Sequence, residues 1–136
     1  MYENKRRHKR VPLAASALIQ YSSEESTEQI HVVTANISLS GLGVYSEKPI
    51  IPGTALSIEI SFISSQGLTT TDSIRGENIF DRKIGGMHFI NIQFDEEINP
   101  VKQPSLYDHL LNILSWQDST IGLSDIGGRT TLKSEN

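Results

Sequence analysis

Val33-Thr34-Ala35-Asn36-Ile37-Ser38-Leu39-Ser40-Gly41 is the stretch where a strand pattern breaks into a polar turn, and the rest of the chain is organised around it. Val33, Ala35 and Ile37 alternate with polar neighbours at the period of two that marks a strand with one buried face. On this reading Asn36 and Ser38 share the outward face. Gly41 then supplies either a positive φ or room for another group to approach the backbone closely. The result is a small polar receptor without charge of its own. Charge is concentrated elsewhere, in Lys5-Arg6-Arg7-His8-Lys9-Arg10.

Outward from this stretch the chain reads as β. Leu13 to Tyr21 is a strand, followed by the polar break Ser22-Ser23-Glu24-Glu25-Ser26. Gln29 to Ser38 is the second and Gly41 to Tyr45 a short third, closed by Lys48-Pro49 and the Pro52-Gly53 turn, whose proline cannot donate to a ladder. Leu56, Ile58, Ile60 and Phe62 alternate with Ser57, Glu59 and Ser61 in the clearest strand of the chain. Leu68 to Phe80 is a fifth, between Gln66-Gly67 and Gly85-Gly86, and Ile90, Ile92 and Phe94 mark a sixth. Six short strands at such intervals predict an all-β fold, a closed antiparallel barrel, because closure removes exposed edges. After Pro104 the period changes. Ser105 and Asp108 have the spacing of a capping box. Leu106, Tyr107, Leu110, Leu111 and Leu114 fall on one side of a helix, with Asp108, His109, Asn112 and Ser115 on the other, as far as Trp116. The organisation expected is a basic arm over 1–10, one barrel-plus-helix domain over 11–116 and a disordered tail over 117–136.

Composition sets the outer limits. The 136 residues with 37% apolar content fit a single core of ordinary domain size. No run of about 18 apolar residues exists to span a bilayer, and the basic N-terminus lacks the apolar segment of a signal peptide, so a cytoplasmic protein is expected. Zero cysteines exclude disulfides and thiolate metal sites. The net charge of −4 divides into +4 over residues 1–10, from five Lys/Arg and Glu3, and −8 over the remainder, from seven Lys/Arg and fifteen Asp/Glu. A basic arm on an acidic body suits a small anion better than a long nucleic acid, which calls for a broad basic face.

Enzyme signatures are missing. HExxH, GxSxG and a P-loop do not occur, and Gly41-Leu-Gly43 is a lone GxG without the third glycine of a dinucleotide fold. His8, His31, His88 and His109 have no metal-ligand spacing to one another. No catalytic residue, metal or cofactor is therefore assigned, and the chain is not expected to be an enzyme.

Arg6-x-x-x-Arg10 followed by Asn36-x-Ser38-x-x-Gly41 resembles the paired signature of PilZ domains, in the family's order and at compatible spacing. Val11-Pro12 follows the arginines directly, and a six-strand pattern with a terminal helix comes after, so the resemblance covers residues 5 to about 116. It implies a six-stranded barrel that acts as a bacterial second-messenger receptor for cyclic di-GMP. Arginine suits that ligand because its planar fork can grip a phosphate or a guanine edge with two hydrogen bonds and its flat face can stack on a base. By the family's pattern Arg6 and Arg10 would hold guanine and phosphate, Asn36 and Ser38 a guanine edge, and Gly41 the turn between them. Asn36 stands where many members carry Asp, exchanging an acceptor for a group that also donates. Lys5 and Arg7 are additional candidate contacts, and a basic residue at position 5 is compatible with a second stacked ligand. The expectation is that the arm folds onto the Asn36 face around the ligand and that the reshaped surface signals to a protein partner, by family analogy in motility, adhesion or exopolysaccharide machinery. Two alternatives stand beside it: an interaction adaptor of the same fold that does not bind the dinucleotide, and nucleic-acid binding through the arm.

Overall fold

The computed structural model describes residues 9–23, 26–64 and 66–127, with side chains up to residue 115. The strands are β1 (Val11–Pro12), β2 (Ser16–Ser22), β3 (Thr27–Ile37), β4 (Gly41–Ser46), β5 (Ala55–Ile63), β6 (Thr69–Ile84) and β7 (Met87–Phe94), followed by helix α1 (Pro104–Gly127). The sheet runs β1-β3-β2-β5-β6-β7-β4, and β4 pairs back onto β3. Six antiparallel strands thus close a barrel, with β1 added as a two-residue strand beside β3. Among the described residues no helix is long and apolar enough to cross a membrane.

Alternation explains the core. Leu56, Ile58, Ile60 and Phe62 of β5 all point inward, as their pattern predicts, and meet Ile19 of β2, Leu42 and Val44 of β4 and Ile90 and Ile92 of β7. Each such side chain contributes roughly 1.5–3 kcal/mol by leaving water. Leu106 and Leu110 of α1 join the same cluster.

Three expectations are corrected. First, Val33 does not face inward: it is 61% exposed, while Ile30, Val32 and Thr34 are buried. The cause is a bulge, because Thr34 opposes Val44 but Asn36 opposes Gly43, which leaves Ala35 as an inserted residue. The bulge shifts the phase, so Ile37 returns to the interior and Asn36 lies outside. Second, the strand read from Leu13 to Tyr21 is interrupted at 13–15, where the chain crosses from β1 to β2. The buried Thr34 hydroxyl organises this crossing: it accepts from Ala15 N at 3.0 Å and has the Leu13 and Ala15 carbonyls at 2.7 and 2.9 Å for its proton.

Third, the helix begins one residue before Ser105 and continues past Trp116 to Gly127, into the stretch expected to be a disordered tail. Its first-turn N–H at Leu106 is capped by Asp72 of β6 at 2.6 Å, not by a Ser105–Asp108 box. The buried face is also rotated from the expected one. Leu111 is 42% exposed, whereas His109 stacks on Phe62 with ring centroids 4.4 Å apart. Burial there lowers the His109 pKa, and neighbouring Asp108 opposes the shift.

Candidate functional site

The turn between β3 and β4 is built by Ser38. Its N–H donates to the Gly41 carbonyl at 2.9 Å, and its Oγ accepts from Ser40 N at 3.1 Å and Gly41 N at 3.2 Å. The turn is clamped to the end of β7, since Phe94 N donates to Ser40 O and Ile98 N to Leu39 O, each at 2.9 Å. Ser38 is 1% exposed, so its hydroxyl serves the turn directly rather than standing on the outer face beside Asn36.

Above this turn, on the outside of the barrel, Asn36, Gly43 and Asn91 form one row across β3, β4 and β7. The Arg10 guanidinium lies over that row. Its Nη1 donates to Asn36 Oδ1 at 2.7 Å and its Nη2 to Asn91 Oδ1 at 2.9 Å. Hydrogen bonds to a charged group contribute about 1.5–3 kcal/mol each. Both of these acceptors are neutral amides, and together they fix the plane of the guanidinium over the row. Val11 and Pro12 pair with Ile37 and Asn36 immediately after it, which anchors the chain where it leaves the barrel.

Glycine makes the space. A Cβ at Gly41 would sit 2.6 Å from Arg10 Nη2 and 2.6 Å from the Ile92 carbonyl. One at Gly43 would sit 2.8 Å from Asn36 Oδ1 and 2.7 Å from the Phe89 ring. Positive φ occurs at Gly53, Gly67 and Gly85 but not at Gly41, so Gly41 is required for close approach and not for backbone conformation.

The structure therefore brings Arg10, Asn36 and Gly41 together, with Ser38 holding the turn beneath them. Lys5, Arg6 and Arg7 lie outside the described residues. Asn91 and Gly43 also belong to this site, although the sequence motif does not include them. Gly43 lies two residues from Gly41 on the same face, and Asn91 is a polar break between Ile90 and Ile92, but neither belongs to the motif that drew attention to the rest. Among the described residues no group of three His, Asp or Glu side chains converges on a metal position. The His88–Asp81 pair at 2.9 Å is structural, because the other Asp81 oxygen accepts from Ile50 N at 3.0 Å and ties the segment after β4 to β6.

Comparison with known proteins bears on the fold and the family. No match is found among curated proteins. Among solved structures, the chain is similar to the inhibitor of motility MotI/DgrA of Bacillus subtilis, with 16% identity and a TM-score of 0.62 over 82% of this chain and 52% of that one. This chain thus spans about half the length of that protein. It is also similar to the PilZ domain of YcgR from Escherichia coli with c-di-GMP, at 17% identity and TM-score 0.54, covering 84% of this chain and 98% of that domain. The K. pneumonia MrkH–c-di-GMP complex is similar at 15% identity and TM-score 0.50, over 84% of this chain and 54% of that one. Identities this low speak for the fold alone. The family follows from the sequence model of the PilZ domain, which matches residues 4–101 and so spans both halves of the motif and all seven strands: the chain belongs to the PilZ domain family.

Proposed function

We propose that this chain is a cytoplasmic receptor for cyclic di-GMP. The observation that carries the reading is the Arg10 guanidinium held across Asn36 and Asn91, which puts the end of the arginine motif on the Asn-x-Ser-x-x-Gly turn. A planar cation over a row of amides can meet a phosphate or the O6/N7 edge of guanine. Ser38 acts mainly by shaping the turn, Asn36 orients Arg10 and offers its amide to guanine, and Arg6, with Lys5 and Arg7 around it, supplies the second grip. YcgR and MrkH, similar in fold, are both described with c-di-GMP, which supports the ligand assignment. Binding draws the arm onto the barrel face, and the changed surface is read by a protein partner, in keeping with a receptor rather than an enzyme.

Isothermal titration of cyclic di-GMP, with GMP and cyclic di-AMP as comparisons, tests this. Saturable binding of cyclic di-GMP is expected, with loss in Arg10→Ala and weakening in Asn91→Ala, and the stoichiometry shows whether one or two ligands bind. Absence of heat at high ligand concentration would overturn the receptor reading and leave an interaction adaptor of the same fold.

A further inference from the structure

One face of the barrel carries more than the motif requires. Next to the row Asn36–Gly43–Asn91 lies a second row on the same outer face, Val33–Tyr45–Phe89–Arg82, defined by the pairings Val33↔Tyr45, Tyr45↔Phe89 and Phe89↔Arg82. Leu42, Val44, Ile90 and Ile92 point the other way into the core, so Tyr45 and Phe89 are not needed to fill it. Phe89 is nearly buried at 9% exposure, while Tyr45 is 38% and Val33 61% exposed. The Tyr45 and Phe89 rings meet edge to face, with centroids 5.4 Å apart and planes at 62°. That contact fixes the Tyr45 ring and leaves part of it in water.

We propose that Tyr45, backed by Phe89 and extended by Val33, is a stacking shelf for a purine base, with Arg82 as a cation at its far edge. The inference rests on the receptor reading above and adds a base subsite to it. Position favours a base belonging to the same ligand. Gly43 and Tyr45 are two residues apart on one strand, so the shelf begins roughly 7 Å from the amide row, about the spacing over which a dinucleotide that reaches Arg10 continues. The Phe89 ring and the Asn36 amide fill the space that a side chain at Gly43 would take, so the two rows are in contact there. Chemistry points the same way. A flat ring offers sequence-tolerant stacking to any base, and an arginine beyond it can meet either a base edge or a phosphate. Scattered exposed apolar residues are ordinary on protein surfaces, but here an aliphatic, two aromatic and a cationic side chain stand in one register row beside the anion-gripping arginine. Phe80 of β6 continues the amide row opposite Asn91, and on the other side Met87 opposes the exposed Ile84, so apolar groups carry the flat surface on around the Tyr45 ring.

The test uses the full chain titrated with cyclic di-GMP. Tyr45→Ala is expected to weaken binding by between about 5-fold and about 150-fold, the range for losing one base–aromatic stack. Tyr45→Phe, which restores the ring, should recover most of that loss. Arg82→Ala should weaken binding and flatten its dependence on salt. Ile63→Ala, at an exposed position of β5 away from this face, serves as the control. In the unmodified complex, nuclear Overhauser contacts from guanine H8 to the Tyr45 ring protons are expected, a readout independent of how any variant folds. If Arg10→Ala abolishes binding while Tyr45→Ala binds like the parent, the shelf is wrong and the receptor stands. A loss in Tyr45→Ala without ring contacts in the parent complex also overturns the shelf, and unchanged binding in Arg82→Ala removes the cation from it. A parent chain that does not bind at all overturns both readings together.

Discussion

Gly41→Ala isolates the close approach on which the Arg10 cradle depends. The added Cβ would lie 2.6 Å from Arg10 Nη2 and 2.6 Å from the Ile92 carbonyl, where ordinary contact begins at 3.4 Å. The guanidinium is the end of a flexible side chain and can leave. The carbonyl belongs to the β4–β7 ladder, where Leu42 opposes Ile92, and can move only with its strand. Forcing a methyl group into such a site costs about 1–3 kcal/mol. Displacing Arg10 from Asn36 and Asn91 forfeits hydrogen bonds of about 1.5–3 kcal/mol each, reduced here by partial exposure, so a total loss of about 2–5 kcal/mol is expected. The assay is urea denaturation of the four members of the Gly41→Ala, Arg10→Ala cycle. If the glycine exists for the arginine, Gly41→Ala costs at least about 1 kcal/mol less when Arg10 is already absent. Gly86→Ala, where a Cβ would meet nothing within 4 Å, should change the midpoint little and calibrates the series. Additive single losses, or a Gly41→Ala midpoint equal to the parent, would refute the reasoning.

Two further outcomes concern the helix. Asp72→Ala should destabilise the domain by about 1 kcal/mol, the usual cost of an uncapped helix start, with faster amide exchange at Leu106 and partial recovery in Asp72→Asn, which keeps an acceptor. Burial against Phe62 lowers the His109 pKa below its ordinary 6.5, so on acidification the unfolded chain takes up the proton first. Stability from this site is fully present above pH 6.5 and declines as pH falls below it. Urea midpoints at about pH 7.5 and about pH 5.5 should therefore differ by less in His109→Phe than in the parent.

What could be read in advance follows the range of the interactions involved. Strand β5 alternates without interruption, and its inward set Leu56, Ile58, Ile60 and Phe62 is the one its pattern predicts. Strand β3 carries the same kind of signal, but the bulge at Ala35 inserts one residue and inverts the phase for Val33 while leaving Ile37 inside. A period of two cannot reveal where it skips. The Asn36-x-Ser38-x-x-Gly41 turn is local, so its composition announces it. Asn91 reaches Arg10 across 81 residues of sequence, and Asp72 reaches Leu106 across 34. Such partners are set by sheet register, which one chain does not spell out. The helix face departs from its pattern for a related reason: Phe62 offers His109 a ring to stack on, and that preference belongs to the pair rather than to the helical pattern.

The three-strand row beneath Arg10 also has a consequence for how the domain assembles. Its Asn36–Gly43 half lies within a hairpin and can form early, whereas its Gly43–Asn91 half needs β4 to find β7 after β5 and β6 are in place. Such distant pairings form late because loop closure must come first. The arginine cradle therefore does not exist in any species in which the ring of strands is still open. A ligand that requires it binds the finished domain alone and stabilises that state by mass action, so occupancy of the site reports on completed folding as well as on ligand concentration.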